Sequence, residues 1–169
     1  LELTRLNELA KASGKKAGIL LRLTPGIDPH THKLIRTGQE DTKFGFNIKD
    51  GAAMDAVRKA LECSNINLIG LHCHVGSQLL DTTAHEQAIK VMVRFISDAQ
   101  KIGYKASELN LGGGLGIRYL STQKPPTIEE FAEKLTAVLK REIKKYNLEP
   151  PRLMLEPGRS IVGEAGTTL

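Results

Sequence analysis

Short aliphatic strands alternate with helical stretches along this chain, and most of the strands carry a polar residue near the C-terminal end. Apolar alternation marks strands over residues 17–23, 66–75, 108–111 and 152–156, with a shorter one over 42–47. Helical spacing marks residues 1–13, 50–63, 82–101 and 128–146, and Asp50 is placed to cap the second of these helices. In the first helix Leu1, Leu6 and Leu9 are expected on one side. In the first long strand Ile19, Leu21 and Leu23 share a face, opposite Leu20 and Arg22. In the next, Ile69, Leu71, Cys73 and Val75 oppose Ile66, Leu68, Gly70, His72 and His74.

Repeated strand–helix units with short connections specify a parallel sheet with helices packed outside it. The aliphatic face of each strand suits helix packing. The other face carries Arg22, then His72 and His74, then Asn110, then Glu156. Polar groups gathered at the C-terminal ends of parallel strands are what the mouth of a β/α barrel requires, and an open doubly wound sheet does not call for the pattern. The expected fold is therefore α/β, a partial (β/α)8 TIM-like barrel with five strands visible. The loop over residues 27–41 is long and polar, holds His30 and His32, and is of a length that in compact domains tends to carry function.

The strand at Glu108-Leu-Asn-Leu111 runs into Gly112, Gly113 and Gly114. Successive glycines present only backbone, so their N–H groups can form an anion-binding nest; a plain Gly-rich turn leaving a strand is the other reading. No acidic residue ends a strand about twenty residues further on, as a dinucleotide site would need. A phosphate held here belongs to a smaller cofactor.

Composition removes several classes of function. Aromatic residues make up 4% of the chain and Trp is absent, which leaves no stacking platform for single-stranded nucleic acid. The charge of +5 comes largely from lysines such as Lys134, Lys140, Lys144 and Lys145, at positions that read as solvent faces of helices. No apolar run reaches membrane-spanning length. Two cysteines, Cys63 and Cys73, form no disulfide framework and fit a reducing compartment, so a cytoplasmic location (the plastid stroma in a plant) is expected.

His72 and His74 lie two apart on one strand and share a face. They could ligate a metal, lie against a flat ring cofactor, or be satisfied core histidines. No further His stands at a strand end, since His30, His32 and His85 fall in loops or a helix, and no metal is expected. In Glu156-Pro157-Gly158-Arg159 a carboxylate and a guanidinium adjoin the mouth. They could pair with each other. Alternatively Arg159 meets a phosphate at the glycines, and Glu156 faces a cation such as a protonated pyridine nitrogen.

Thr31-His-Lys-Leu-Ile-Arg-Thr-Gly38, Lys43-Phe-Gly45, His72-Cys-His-Val-Gly-Ser-Gln78, Leu111-Gly-Gly-Gly-Leu-Gly116 and Glu156-Pro-Gly-Arg159 resemble, in order, the motifs of the diaminopimelate decarboxylases. These are pyridoxal-phosphate enzymes of the alanine-racemase-like (fold type III) class. The resemblance covers essentially the whole chain. The glycine triplet and Glu-Pro-Gly-Arg are shared with ornithine and arginine decarboxylases, whereas the Thr-His-Lys loop and Gln78 favour the diaminopimelate branch.

The resemblance implies that His74 stacks on the pyridine ring and that Ser77 with Gly112, Gly113 and Gly114 holds the phosphate. Glu156, followed by Pro157 and Gly158, pairs with the ring nitrogen; Arg159 binds phosphate or substrate; Arg22 buttresses His74; His72 and Asn110 support from behind. The implied reaction converts meso-diaminopimelate to L-lysine and CO2 in a homodimer, the substrate being a small amino acid. A non-catalytic homologue that keeps the cofactor, or a metal-dependent barrel hydrolase using His72 and His74, is the competing class. One departure is plain: no residue matches the family's cofactor-bonding lysine, and Lys43 is not it. Residues 1–169 are thus expected to be the C-terminal part of a barrel domain, without its first strands and without the following β-domain, and inactive in isolation.

Overall fold

The computed structural model describes residues 1–27 and 44–166. The elements are α1 (Glu2–Ala12), β1 (Ala17–Thr24), β2 (Phe46–Asn47), α2 (Ala52–Glu62), β3 (Ile66–His72), α3 (Thr83–Gln100), β4 (Glu108–Asn110), α4 (Ile128–Tyr146), β5 (Arg152–Met154) and α5 (Gly158–Val162). A single 3₁₀ turn, Gly163–Ala165, follows α5. His30, His32, Lys43 and the Thr-His-Lys motif lie outside the described residues.

Every strand pair is parallel, and the sheet order is β2-β1-β3-β4-β5. Strands β1, β3, β4 and β5 thus lie side by side in chain order, with α2, α3 and α4 in the crossovers. The short strand departs from that order. β2 pairs on the far side of β1, Leu23 opposite Phe46, instead of lying between β1 and β3. Gly45 makes this approach possible: its φ is +79°, and a Cβ there would stand 2.9 Å from the Arg22 carbonyl oxygen. The Thr24 hydroxyl secures the turn by donating to the Phe44 carbonyl.

Alternation fixes which side of the sheet meets the helices. Leu21, Leu71, Leu109 and Leu153 form one cross-sheet row on the helix side. They pack with Val57 of α2, Ile89, Met92, Val93 and Ile96 of α3, and Leu135, Val138 and Leu139 of α4 in one core. The alternation fails once. The β1–β3 register shifts between Ile19 and Leu20, so Ile69 is the extra residue of a bulge. Below it Leu68 joins the core and Ile69 does not, the reverse of the sequence expectation.

Two helix readings are corrected in the same way. In α1, Leu1 and Leu9 are exposed, and the face toward the core is Leu3 and Ala10. Residues seven apart lie nearly in line on a helix, which Leu1, Leu6 and Leu9 do not. In α2 the cap position belongs to Gly51 in the left-handed region; Asp50, one residue earlier, still accepts from the Ala52 N–H at 2.9 Å. α4 begins with a capping box, Thr127 and Glu130 each bonding the other's backbone N–H. Its Lys134, Lys140, Lys144 and Lys145 are exposed, as their spacing implies. Among the described residues no helix is long and apolar enough to cross a membrane.

The regular ladder stops earlier than the sequence suggests, at His72 in β3 and Met154 in β5. Single bonds extend it: Cys73 N–H donates to Asn110 O at 2.9 Å, and Glu156 N–H to Gly112 O at 2.9 Å. Just before that end, Gly70 lets β3 and β4 close together. A Cβ there would overlap the Glu108 carbonyl and crowd Leu20. We expect Gly70→Ala to destabilise the fold by about 1–3 kcal/mol, the usual cost of overpacking against backbone. The check is the urea midpoint at constant m; an unchanged midpoint would show that the two strands can separate without loss.

Candidate active site

Above the leucine row the next residues face the other side of the sheet. Arg22, His72, Asn110 and Met154 are consecutive register partners across β1, β3, β4 and β5. Two residues further along their strands stand His74, Gly112 and Glu156. The strand-end residues singled out in the sequence therefore gather at one edge of one sheet.

Asn110 is the hinge pin of this edge. Its Nδ2 donates to Glu156 Oε1 at 2.8 Å, while its Oδ1 accepts from the Gly112 N–H at 2.8 Å. The residue is 5% exposed, so both ends of the amide are engaged in a dry setting. Glu156 is held from behind yet leaves 55% of its side chain exposed, a fixed carboxylate open to a ligand. His72 Nε2 lies 3.6 Å from the same carboxylate oxygen. Burial lowers the His72 pKa; the Glu156 charge pulls the other way without winning, and the Arg22 guanidinium adds to the lowering. At neutral pH His72 is thus neutral, and its contact with Glu156 is a weak polar one, not an ion pair.

His74 stands against the glycines. The Gly113 N–H donates to its Nδ1 at 3.3 Å, which leaves the ring proton on Nε2. Burial first, then Arg22, lowers the His74 pKa and keeps the ring neutral. Arg22 itself lies with its guanidinium carbon 4.8 Å from the centre of the Phe44 ring.

Sterics account for the glycine triplet. A Cβ at Gly112 would stand 2.7 Å from the Cys73 carbonyl; at Gly113 it would overlap the Glu156 carbonyl, and at Gly114 that of Gly76. The segment is threaded between its neighbours with room only for backbone. It is not the open nest of three amides that the sequence allowed, because Gly112 and Gly113 already donate to Asn110 and His74. Among the described residues Gly114 N–H has no such partner.

Arg159 and Glu156 do not pair with each other. Arg159 Nη1 donates to the Tyr119 hydroxyl and Nη2 to Ser77 Oγ at 3.2 Å. Pro157 precedes the short helix α5, and the Gly158 N–H turns back to Glu156 O at 2.9 Å, which brings Arg159 round to Ser77. Next to Ser77, Gln78 clamps Ile117 with both amide ends, donating to its carbonyl and accepting from its N–H at 3.2 Å. Among the described residues no three His, Cys, Asp or Glu side chains form a metal-binding group.

A model of the family described as pyridoxal-dependent decarboxylase, pyridoxal binding domain, matches residues 1–163. The chain belongs to this family. Diaminopimelate decarboxylase of Halalkalibacterium halodurans is 42% identical over 99% of this chain, and that of Bacillus subtilis 40% identical over the same share. The chain spans 38% of the length of both relatives. The crystal structure of diaminopimelate decarboxylase from M. jannaschii in complex with L-lysine superposes with a TM-score of 0.84 at 38% identity, over 95% of this chain and 36% of that one. The Helicobacter pylori enzyme with L-lysine gives 0.80 at 28% identity, over 95% and 38%. The sheet formed by the five strands of the described residues belongs to an alanine-racemase-like barrel.

Three residues of this edge, His85, Tyr119 and Phe44, carry no role in the sequence reading, and neither does the clamping bond of Gln78. His85 had a readable signal, a polar residue on the apolar stripe that runs through Ala88, Ile89, Met92 and Ile96 of α3. It is fully buried, and its Nε2–H donates to Gly113 O at 2.9 Å. Burial lowers its pKa despite that bond.

With His72, His74 and His85 all lowered, the folded chain binds fewer protons than the unfolded one as pH falls through the ordinary imidazole range near 6.5. Their contribution is therefore fully present above that range and is lost below it. Urea midpoints should fall between about pH 7 and pH 5. A flat profile would contradict neutral, desolvated imidazoles.

Proposed function

We propose that the whole protein is a diaminopimelate decarboxylase, releasing CO2 from meso-2,6-diaminopimelate to leave L-lysine, with pyridoxal 5′-phosphate as cofactor. The relatives bearing that name and the motif order support the substrate, and the family supports the cofactor. The observation that carries the reading is Glu156: a carboxylate fixed by Asn110, open on its outer side, and left unneutralised by the nearby Arg159.

The residues present fit a flat cationic ring with a phosphate tail. Gly112, Gly113 and Gly114 form a bare backbone surface, and Gly114 N–H, Ser77 and Arg159 would hold the phosphate. His74, neutral and oriented by Gly113, would lie on the ring face, with Arg22 behind it. Glu156 would keep a proton on the ring nitrogen, and His72 and Asn110 fix the carboxylate for that task. Bound here, the cofactor supplies an electron sink for cleavage at the substrate α-carbon. Arg159 has donors suited to a substrate carboxylate as well as to phosphate. Residues 1–169 form part of the barrel domain in this reading, and the enzyme works as a cytoplasmic homodimer.

The test is Glu156→Gln in the full-length protein. The amide keeps the shape but cannot hold the ring proton, so the cofactor should remain bound while kcat falls on the order of 10²-fold, the scale of losing one preorganised electrostatic contact. CO2 release is assayed on diaminopimelate beside ornithine and arginine. An unchanged kcat removes Glu156 from the mechanism, and faster release from ornithine or arginine moves the enzyme to that branch.

A further inference from the structure

A trans peptide points its C=O and the following N–H in opposite directions, and the described chain has no cis bond. This rule can be followed along β4 and the glycines after it. Asn110 O accepts from Cys73, and Leu111 N–H donates to Met154 on the other side. Gly112 O accepts from Glu156, and Gly113 N–H donates to His74 on the other side. The last peptide of the triplet is different. Gly113 O is taken not by a strand but by His85, from the first turn of α3. The partner direction, that of Gly114 N–H, is therefore set by a side chain.

His85 is built to hold that direction. The ring is fully buried, meets Phe131 of α4 edge-on at 4.9 Å, and has its Cε1 3.4 Å from where a Cβ on Gly114 would stand. A carbonyl can only accept, so the ring proton sits on Nε2. Nδ1 is buried without a partner among the described residues. A core position that needed only volume would be filled by Leu or Phe without leaving a polar atom stranded. We infer that His85 is a positioning residue for the anion cradle: by binding Gly113 O on the α3 side it turns the Gly114 N–H away from α3 and toward the phosphate. This rests on the cofactor reading above and assigns a new residue to it.

The experiment compares His85→Phe, which keeps a ring but no donor, with the unmutated full-length protein. Each is titrated with pyridoxal 5′-phosphate and with pyridoxal, which lacks the phosphate. The Phe variant should bind pyridoxal phosphate about tenfold more weakly, the worth of one hydrogen-bonded orientation, while pyridoxal affinity is unchanged. Equal losses for both, or none, with only a lowered Tm, would make His85 a purely structural residue and leave the cofactor reading intact. An unmutated protein that does not prefer pyridoxal phosphate over pyridoxal would overturn both together. Should the Phe variant fail to fold, the unmutated protein decides the matter by NMR. The His85 Nε2–H resonance should shift when inorganic phosphate is added, and an unmoved resonance at saturating phosphate overturns the assignment.

Discussion

Hydrogen-bond register across a parallel sheet is the constraint on which the rest of this structure depends. Arg22, His72 and Asn110 come from three strands separated by long helical crossovers, yet they sit in one row because their backbones are in one register. A slip of one residue in β4 would turn Asn110 into the helix layer and Leu109 out of it. The leucine row prevents this, since Leu71 and Leu109 are fully buried and have no alternative place. Hydrophobic burial thus sets the positions of polar groups that it never touches.

Close approach has a second consequence at the glycines. The threading that forbids side chains also shields the segment, so each peptide's direction is decided by its immediate neighbours. The Gly112–Gly113 peptide is oriented between Glu156 and His74, the one before it by the Asn110 side chain, and the one after it by an imidazole from a helix. The electrostatics follow the same logic: His72, His74 and His85 are all kept neutral by burial, and the Arg22 guanidinium presses on the first two. The exposed carboxylate at Glu156 is thereby left without a cationic imidazole to satisfy it.

Much of this was legible in the chain. Period-two alternation placed β1, β3, β4 and β5, and the polar residue near each strand end picked out side chains that gather at one edge of the sheet. Alternation could not reveal the bulge at Ile69, because an inserted residue leaves an equally apolar string of Ile and Leu. Nor could it show that β2 pairs outside β1, a choice made by the close approach of Gly45 to the Arg22 backbone. The α1 face was misread because three leucines at uneven spacing outweighed a small residue, Ala10, in the count. His85 was passed over for a related reason. One polar residue on an apolar stripe looks like noise until the carbonyl it meets is known. The readings that survived best were those in which the residue type and its period agreed.

Asn110 has a consequence for how such a site ages. Asparagine deamidates when the next residue's backbone nitrogen swings onto the side-chain carbonyl carbon, and the product is aspartate. Here that nitrogen, Leu111 N, is bonded to Met154 O at 3.1 Å, and both ends of the Asn110 amide are tied as well. The attack would have to break three bonds at once. Were it to succeed, a second carboxylate would stand where Nδ2 now supports Glu156, and the two acids would compete for one proton. The interlock that fixes the charge of the mouth therefore also slows the chemical clock that would reverse it.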